Sequence, residues 1–171
     1  MTSVTKRKPT AAAPLEAIGW REWVQLPELC LERTKAKIDS GARTSSLHAF
    51  DLEIEHTANG DLATFEIHPR QRSVAGSMRV RVPVFEYRRV RPSTGRAELR
   101  PVIRTMMQLG LNSFPIEVTL TSRDTMGFRM LLGRRALAGR YLVNPGRSFI
   151  VPTNELPTTF ASTSLTSTKE Q

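Results

Sequence analysis

Between about residues 15 and 151 the chain reads as short runs of apolar and β-branched residues separated by turn signals, with little helical periodicity anywhere. The first run, Thr34 to Ile38, ends at Asp39-Ser40-Gly41, and a second passes through Leu47 and Phe50 into Leu52-Glu53-Ile54-Glu55. Asn59-Gly60 marks a hairpin turn, and the returning strand is Leu62 to His68, closed by Pro69. From Met78 to Val90 the even positions Val80, Val82, Val84 and Val90 are apolar, while the odd positions carry Arg79, Arg81, Tyr87 and Arg89. That is one run with a buried face and a basic, partly aromatic outer face. Pro92-Ser93-Thr94-Gly95 makes another turn, Ala97 to Met107 and Phe114 to Thr121 read as two more strands, and Phe128 to Leu132 is the last strong run. Gly133 to Leu137 suits a single helical turn ahead of Tyr141-Leu142-Val143. The pattern predicts an all-β domain, a closed or nearly closed barrel of about seven strands with one short helix, since closure removes exposed sheet edges.

Both ends depart from this pattern. Residues 1–14 carry Lys6, Arg7, Lys8 and Pro9 followed by small residues, and residues 152–171 are rich in Ser and Thr, so both read as flexible tails around one domain at 15–151. Hydrophobic residues at 39% and charged residues at 24% are ordinary for a folded protein and exclude wholesale disorder. The formal charge is +9, from 25 Lys and Arg against 16 Asp and Glu, and a field of that sign attracts polyanions. Cys30 is the single cysteine, so no internal disulfide forms; a reducing, cytoplasmic setting is the expectation. Between Leu29 and Leu31 it is expected to behave as a small buried apolar residue. No apolar stretch approaches the roughly 20 residues of a membrane span, and no export signal is evident.

Asp39-Ser40-Gly41-Ala42 follows a predicted strand directly. A carboxylate there, beside a hydroxyl and a glycine, suits acid–base peptidase chemistry, which needs two carboxylates close enough to share one proton. Taken alone the triplet is also an ordinary turn. The apolar strand Met130-Leu131-Leu132-Gly133, followed by Arg134-Arg135-Ala136-Leu137, shifts the balance. In retropepsin-like folds an apolar-apolar-Gly strand passes behind the catalytic loop. The block Ile38-Asp39-Ser40-Gly41-Ala42-Arg43-Thr44-Ser45, with Leu47-His48-Ala49, strongly resembles the core signature of a bacterial and archaeal family long labelled "ATP-dependent zinc protease". The resemblance extends to Ile18-Gly19-Trp20-Arg21-Glu22-Trp23-Val24, Phe65-Glu66-Ile67-His68-Pro69, Glu117-Val118-Thr119-Leu120-Thr121 with Arg123, Met130 to Leu137 and Tyr141 to Pro145.

The resemblance implies a retropepsin-like fold, one aspartate per chain, and a catalytic site made by Asp39, Ser40 and Gly41 at a homodimer interface. Its RimB branch resembles a peptidase that trims poly-α-glutamate tails added to a small-subunit ribosomal protein by an ATP-grasp glutamate ligase. Ser40 stands where Thr is commoner, keeping the hydroxyl and losing a methyl. A glutamate chain calls for a groove lined with arginine, whose planar fork grips carboxylates in a bidentate way. Arg43, four residues beyond Asp39, is the leading candidate, with Thr44 and Ser45 beside it and Arg104, Arg123 and Arg134 next.

Metal and nucleotide chemistry find no motif. His48, His56 and His68 lie on separate β runs without a His-Glu-x-x-His helix, and no glycine-rich loop with Lys-[Ser/Thr] is present, so neither zinc nor ATP is expected as a cofactor. Ser45 and Ser46 close to His48 do not imply a triad, which is recognised by spatial geometry. The competing reading is a non-catalytic basic β module that binds RNA or the ribosome through Arg79, Arg81, Arg88, Arg89 and Arg91. Against it, aromatics for base stacking make up only 6% of the chain, with Phe85 and Tyr87 alone in that stretch. A third reading, an inactive scaffold of the same fold, is disfavoured by the intact Asp-Ser-Gly.

Overall fold

The computed structural model describes residues 14–70, 73–91, 95–122 and 127–152. The two expected tails lie almost wholly outside these residues, as do Arg123 and residues 92–94 of the expected turn.

Among the described residues twelve strands and one α-helical turn form in the order β1 (Glu16–Gly19), β2 (Arg21–Leu26), β3 (Leu31–Asp39), β4 (Ser45–His48), β5 (Phe50–Thr57), β6 (Gly60–Ile67), β7 (Met78–Pro83), β8 (Glu86–Val90), β9 (Glu98–Leu109), β10 (Asn112–Thr121), β11 (Met130–Gly133), α1 (Arg134–Leu137) and β12 (Tyr141–Asn144). Strands β10-β4-β11-β3-β2-β9 are joined side by side, and the β9–β10 pairing closes them into a six-stranded barrel with β8 added on the outside of β9. Strands β5-β6-β7 make a separate three-stranded meander, and β1 pairs in parallel with β12. The closed barrel with one short helix is the predicted architecture, with more strands among the described residues than the sequence runs suggested.

Alternation accounts for the core. Along β2 every second residue is buried, putting Val24 and Leu26 inside with Ala36 and Ile38 of β3, Leu47 of β4, Val118 and Leu120 of β10, and Met130 and Leu132 of β11. Burying such side chains contributes about 1.5–3 kcal/mol each and is the main force closing the barrel. The same alternation buries Glu22 completely. Its carboxylate accepts N–H bonds from Gly19 (2.6 Å), Ile150 (3.0 Å) and Val151 (3.5 Å), which meets the requirement that a buried charge be hydrogen-bonded and ties the C-terminal segment to the β1–β2 turn.

Two expectations need correction. Residues 78–90 are two strands in different sheets: β7 pairs with β6, while β8 pairs with β9. The break falls at Val84 and Phe85, whose N–H groups go to Asp61 O and Val102 O on opposite sides of the change. Alternation persists across the break, which is why the sequence reads as one run. Cys30 is exposed, in the left-handed position (φ +54°) that caps the 3₁₀ turn Pro27–Leu29, and only its neighbours Leu29 and Leu31 are buried.

One piece of topology positions everything that follows. Strands β3 and β4 are consecutive, yet β11 lies between them, parallel to β3 and antiparallel to β4. Gly133 at its end pairs with Asp39, and a Cβ there would lie 2.5–2.9 Å from the backbone C, O and N of Thr44. Backbone cannot yield as a flexible side chain does. Gly133→Ala is therefore expected to destabilise the fold by about 2–3 kcal/mol, measured as a lowered urea midpoint with unchanged slope; stability equal to wild type would show that the contact is soft.

Candidate active site

Asp39 is the last residue of β3, half-buried, with Ser40, Gly41 and Arg43 exposed on the loop that leads to β4. Its Oδ1 accepts the N–H groups of Gly41 (3.1 Å) and Ala42 (3.1 Å), so the carboxylate is oriented by its own turn. A Cβ on Gly41 would stand 3.2 Å from that oxygen, closer than side chains normally sit, which explains glycine at this position.

The loop is held from behind by β11 and α1. Arg134 N–H donates to Ala42 O (2.8 Å) and Arg135 N–H to Arg43 O (3.1 Å). The Arg134 guanidinium reaches Ser40 O (3.1 Å) and Gly41 O (3.2 Å). Gly133 N–H donates to Ser45 Oγ (3.2 Å), and Thr119 Oγ1 donates to Ser45 O (3.1 Å). Of the residues proposed from sequence to touch substrate, Arg134 thus spends its fork on the loop's carbonyls, and Ser45 is buried within the strand pairing. Arg43 projects from the loop into solvent. Arg123 lies outside the described residues.

Thr44 opens onto a second group of residues. Its Oγ1 accepts from Arg88 Nη1 (2.9 Å) on β8, and Arg88 Nη2 also reaches Glu117 (2.8 Å) and Glu86. Arg135 donates to the same Glu117 oxygen at 2.8 Å, and Arg104 approaches the other oxygen at 3.6 Å. The Arg88 hydrogen bond, reinforced by the charges of Arg88, Arg135 and Arg104, holds the Glu117 carboxyl below its ordinary value against the opposing effect of partial burial. Arg104 Cζ sits over the Phe85 ring, 3.3 Å from its centre. Sequence reasoning placed Arg104 among the substrate candidates but missed Glu117 and Arg135 as a unit, because Arg104, Glu117 and Arg135 sit on three different elements, β9, β10 and α1, whose side-chain pairing the sequence does not reveal.

His48 and His68 each stack on Phe50, with ring centres at 3.9 and 3.7 Å from it, while His56 pairs with Asp61 (2.7 Å) on the β5–β6 hairpin. No group of three or more His, Cys, Asp and Glu that could hold a metal ion occurs among the described residues. No helix among them is long and apolar enough to cross a membrane.

A closed β-barrel presenting one Asp-Ser-Gly loop, with a Gly-ended strand threaded between the strands on either side of that loop, defines a retropepsin-like fold. The family model described as RimB-like, retropepsin-like aspartic endopeptidase RimB, matches residues 17–154, and the chain belongs to this family. A protein named probable alpha-L-glutamate ligase from Parasynechococcus marenigrum is 49% identical over 128 residues, 75% of this chain and 28% of that protein. One of the same name from Shewanella pealeana is 43% identical over 132 residues, 77% of this chain and 29% of that protein. The chain therefore spans less than a third of the length of these curated relatives. A Legionella pneumophila protein of unknown function shares the fold, with a TM-score of 0.66 and 24% identity over 80% of this chain and 98% of that one.

Because Glu117 has its proton affinity lowered in the folded state, its contribution to stability is present above the ordinary glutamate value of 4.5 and is lost as pH falls through the lower folded value. Glu117→Gln is expected to flatten the loss of thermal stability below about pH 4.5 while lowering stability at neutral pH. Melting temperatures followed across that range check this, and parallel curves for wild type and variant would contradict it.

Proposed function

We propose that the chain is an aspartic endopeptidase that cleaves α-linked poly-glutamate, with its active site completed by the Asp39 of a second copy. The observation that carries the reading is the Asp39 loop itself. It presents a half-buried carboxylate, oriented by two backbone N–H groups and braced from behind, on a chain with a single Asp-Ser-Gly. Peptide hydrolysis by carboxylates needs a pair that shares one proton, and with one such loop per chain the second member would come from a copy related by a two-fold axis. In that pair, the ionised carboxylate takes a proton from water as its oxygen attacks the scissile carbonyl, and the protonated carboxyl polarises that carbonyl oxygen. Collapse of the tetrahedral species breaks the C–N bond, with a proton passing to the leaving nitrogen.

The β1–β12 ribbon favours pairing of copies. It stands outside the barrel as a two-stranded sheet, and Leu142 (57% exposed), Val143 and Leu15 lie open on or beside it. Open strand edges with apolar side chains are templates for further strand pairing.

Poly-glutamate as substrate is supported by three things. The family match is one, and the net charge of +9 is another. The third is that curated relatives bearing the name glutamate ligase contain a homologous segment, so that the making and the trimming of the same polymer would share a protein. A ribosomal protein tail in the cytoplasm is the natural acceptor under this reading, and neither metal nor nucleotide takes part. The rival basic module for RNA is less well supported. Arg104 stacks on Phe85 and Tyr87 donates its hydroxyl to Asp61 (2.6 Å), so each of the two aromatics of the basic stretch, though partly exposed, already has a partner within the chain.

Mass spectrometry of a poly-α-glutamate peptide tests the function. Shortening by wild type, absent with Asp39→Asn and indifferent to chelator and ATP, is expected; shortening that survives Asp39→Asn, or requires metal, would overturn the mechanism.

A further inference from the structure

The group around Glu117 holds more positive charge than its own structure uses. Arg88 is largely buried and spends its fork on Thr44, Glu86 and Glu117. Arg104 and Arg135 differ. Their side chains are 59% and 49% exposed, and they stand on either side of Glu117 on the wall of a cleft of about 510 Å³ lined by Arg104, Pro115, Ile116, Glu117, Arg135 and Ala136. That volume falls within the range of pockets that enclose small ligands.

Arg104 is held mainly by stacking. At 3.6 Å its contact with Glu117 is an ion pair beyond hydrogen-bond length, while Phe85 fixes the guanidinium plane. A guanidinium stacked on a ring keeps its N–H groups in the plane, pointing outward, which is the arrangement for gripping a carboxylate by its edge. Arg135 is fixed at its backbone by the bond to Arg43 O and at its side chain by Glu117. The apolar part of the lining, Pro115, Ile116 and Ala136, suits the methylene stem of an acidic side chain.

We propose that Arg104 and Arg135, spaced by Glu117, form a subsite for the side-chain carboxylate of a substrate glutamate. The proposal rests on the acidic-peptide reading above and assigns that specificity to named residues. Glu117 keeps the two cations together in the empty protein, and a glutamate of the substrate adds a third carboxylate to a cluster of three arginines with Glu86 and Glu117. The Arg88–Thr44 hydrogen bond links the subsite to the loop bearing Asp39, so a glutamate seated there extends from a backbone lying along that loop.

Binding to the Asp39→Asn protein, which leaves the peptide intact, tests this directly. The probes are a glutamate oligopeptide and the matching glutamine oligopeptide, followed by calorimetry at two salt concentrations. Arg104→Gln and Arg135→Gln are each expected to weaken glutamate-peptide binding about tenfold and to reduce its salt dependence, with glutamine-peptide binding unchanged. Arg79→Gln and Arg81→Gln, which remove the same charge from pairs with Glu53 and Glu55 on the meander, are the controls and are expected to have little effect. Melting curves confirm that each variant is folded. If the glutamate peptide binds but all four variants weaken it equally, or none does, the subsite is refuted while the acidic-substrate reading stands. If the parent protein does not prefer glutamate to glutamine, both fall.

Discussion

The contact between Gly133 and the backbone of Thr44 is what the rest of the site depends on. A strand can run between β3 and β4 and still touch the loop joining them only if it ends in a residue without a side chain. Once it does so, the N–H groups of Arg134 and Arg135 meet the carbonyls of Ala42 and Arg43, and the Arg134 fork meets those of Ser40 and Gly41. The loop is then exposed to solvent yet fixed in shape. Loops that carry chemistry generally need such a rigid support, and here the support is backbone against backbone, the least adjustable kind of packing.

The chain's positive charge is also less diffuse than its total implies. Arg79 and Arg81 face Glu53 and Glu55 across the meander, Arg33 and Lys35 lie over Trp23, and Arg21 lies over Trp20 and Phe149. The exposed pairs with Glu53 and Glu55 add little stability singly, but they neutralise charge. The arginines next to the Asp39 loop are different, because three of them converge on the carboxylate of Glu117. Three arginines against Glu86 and Glu117 leave an excess of positive charge beside the loop.

What could be read from the sequence follows from how local each signal is. The strands around Asp39, the hairpin at residues 59 and 60, the strand-to-helix passage at Gly133 and the barrel class rest on alternation and turn chemistry that neighbouring residues carry. Strands β1 and β2 were missed because an inward position of β2 is Glu22, a carboxylate where alternation calls for an apolar residue, and its compensation comes from Gly19 and from residues 150 and 151 across the fold. The division of residues 78–90 was hidden because a period of two survives a change of partner sheet. The Arg88–Glu117–Arg135 group was not legible at all, since a charged residue in a strand pattern reads as a solvated face until long-range pairing puts three of them together. The hairpin did form, with Ala58 and Asn59 as its two loop residues and Gly60 opening the next strand at φ +113°.

The central claim is that two copies of Asp39 make one catalytic pair, and subunit mixing measures this most directly. Wild-type protein is refolded with increasing amounts of Asp39→Asn protein and assayed at constant wild-type concentration on an acidic peptide. If the pair spans a two-fold axis, activity per wild-type chain falls as mixed dimers form, to about half at equal amounts of the two. Activity that stays constant per wild-type chain, whatever the excess of the variant, would mean that each chain works alone, and would contradict the account.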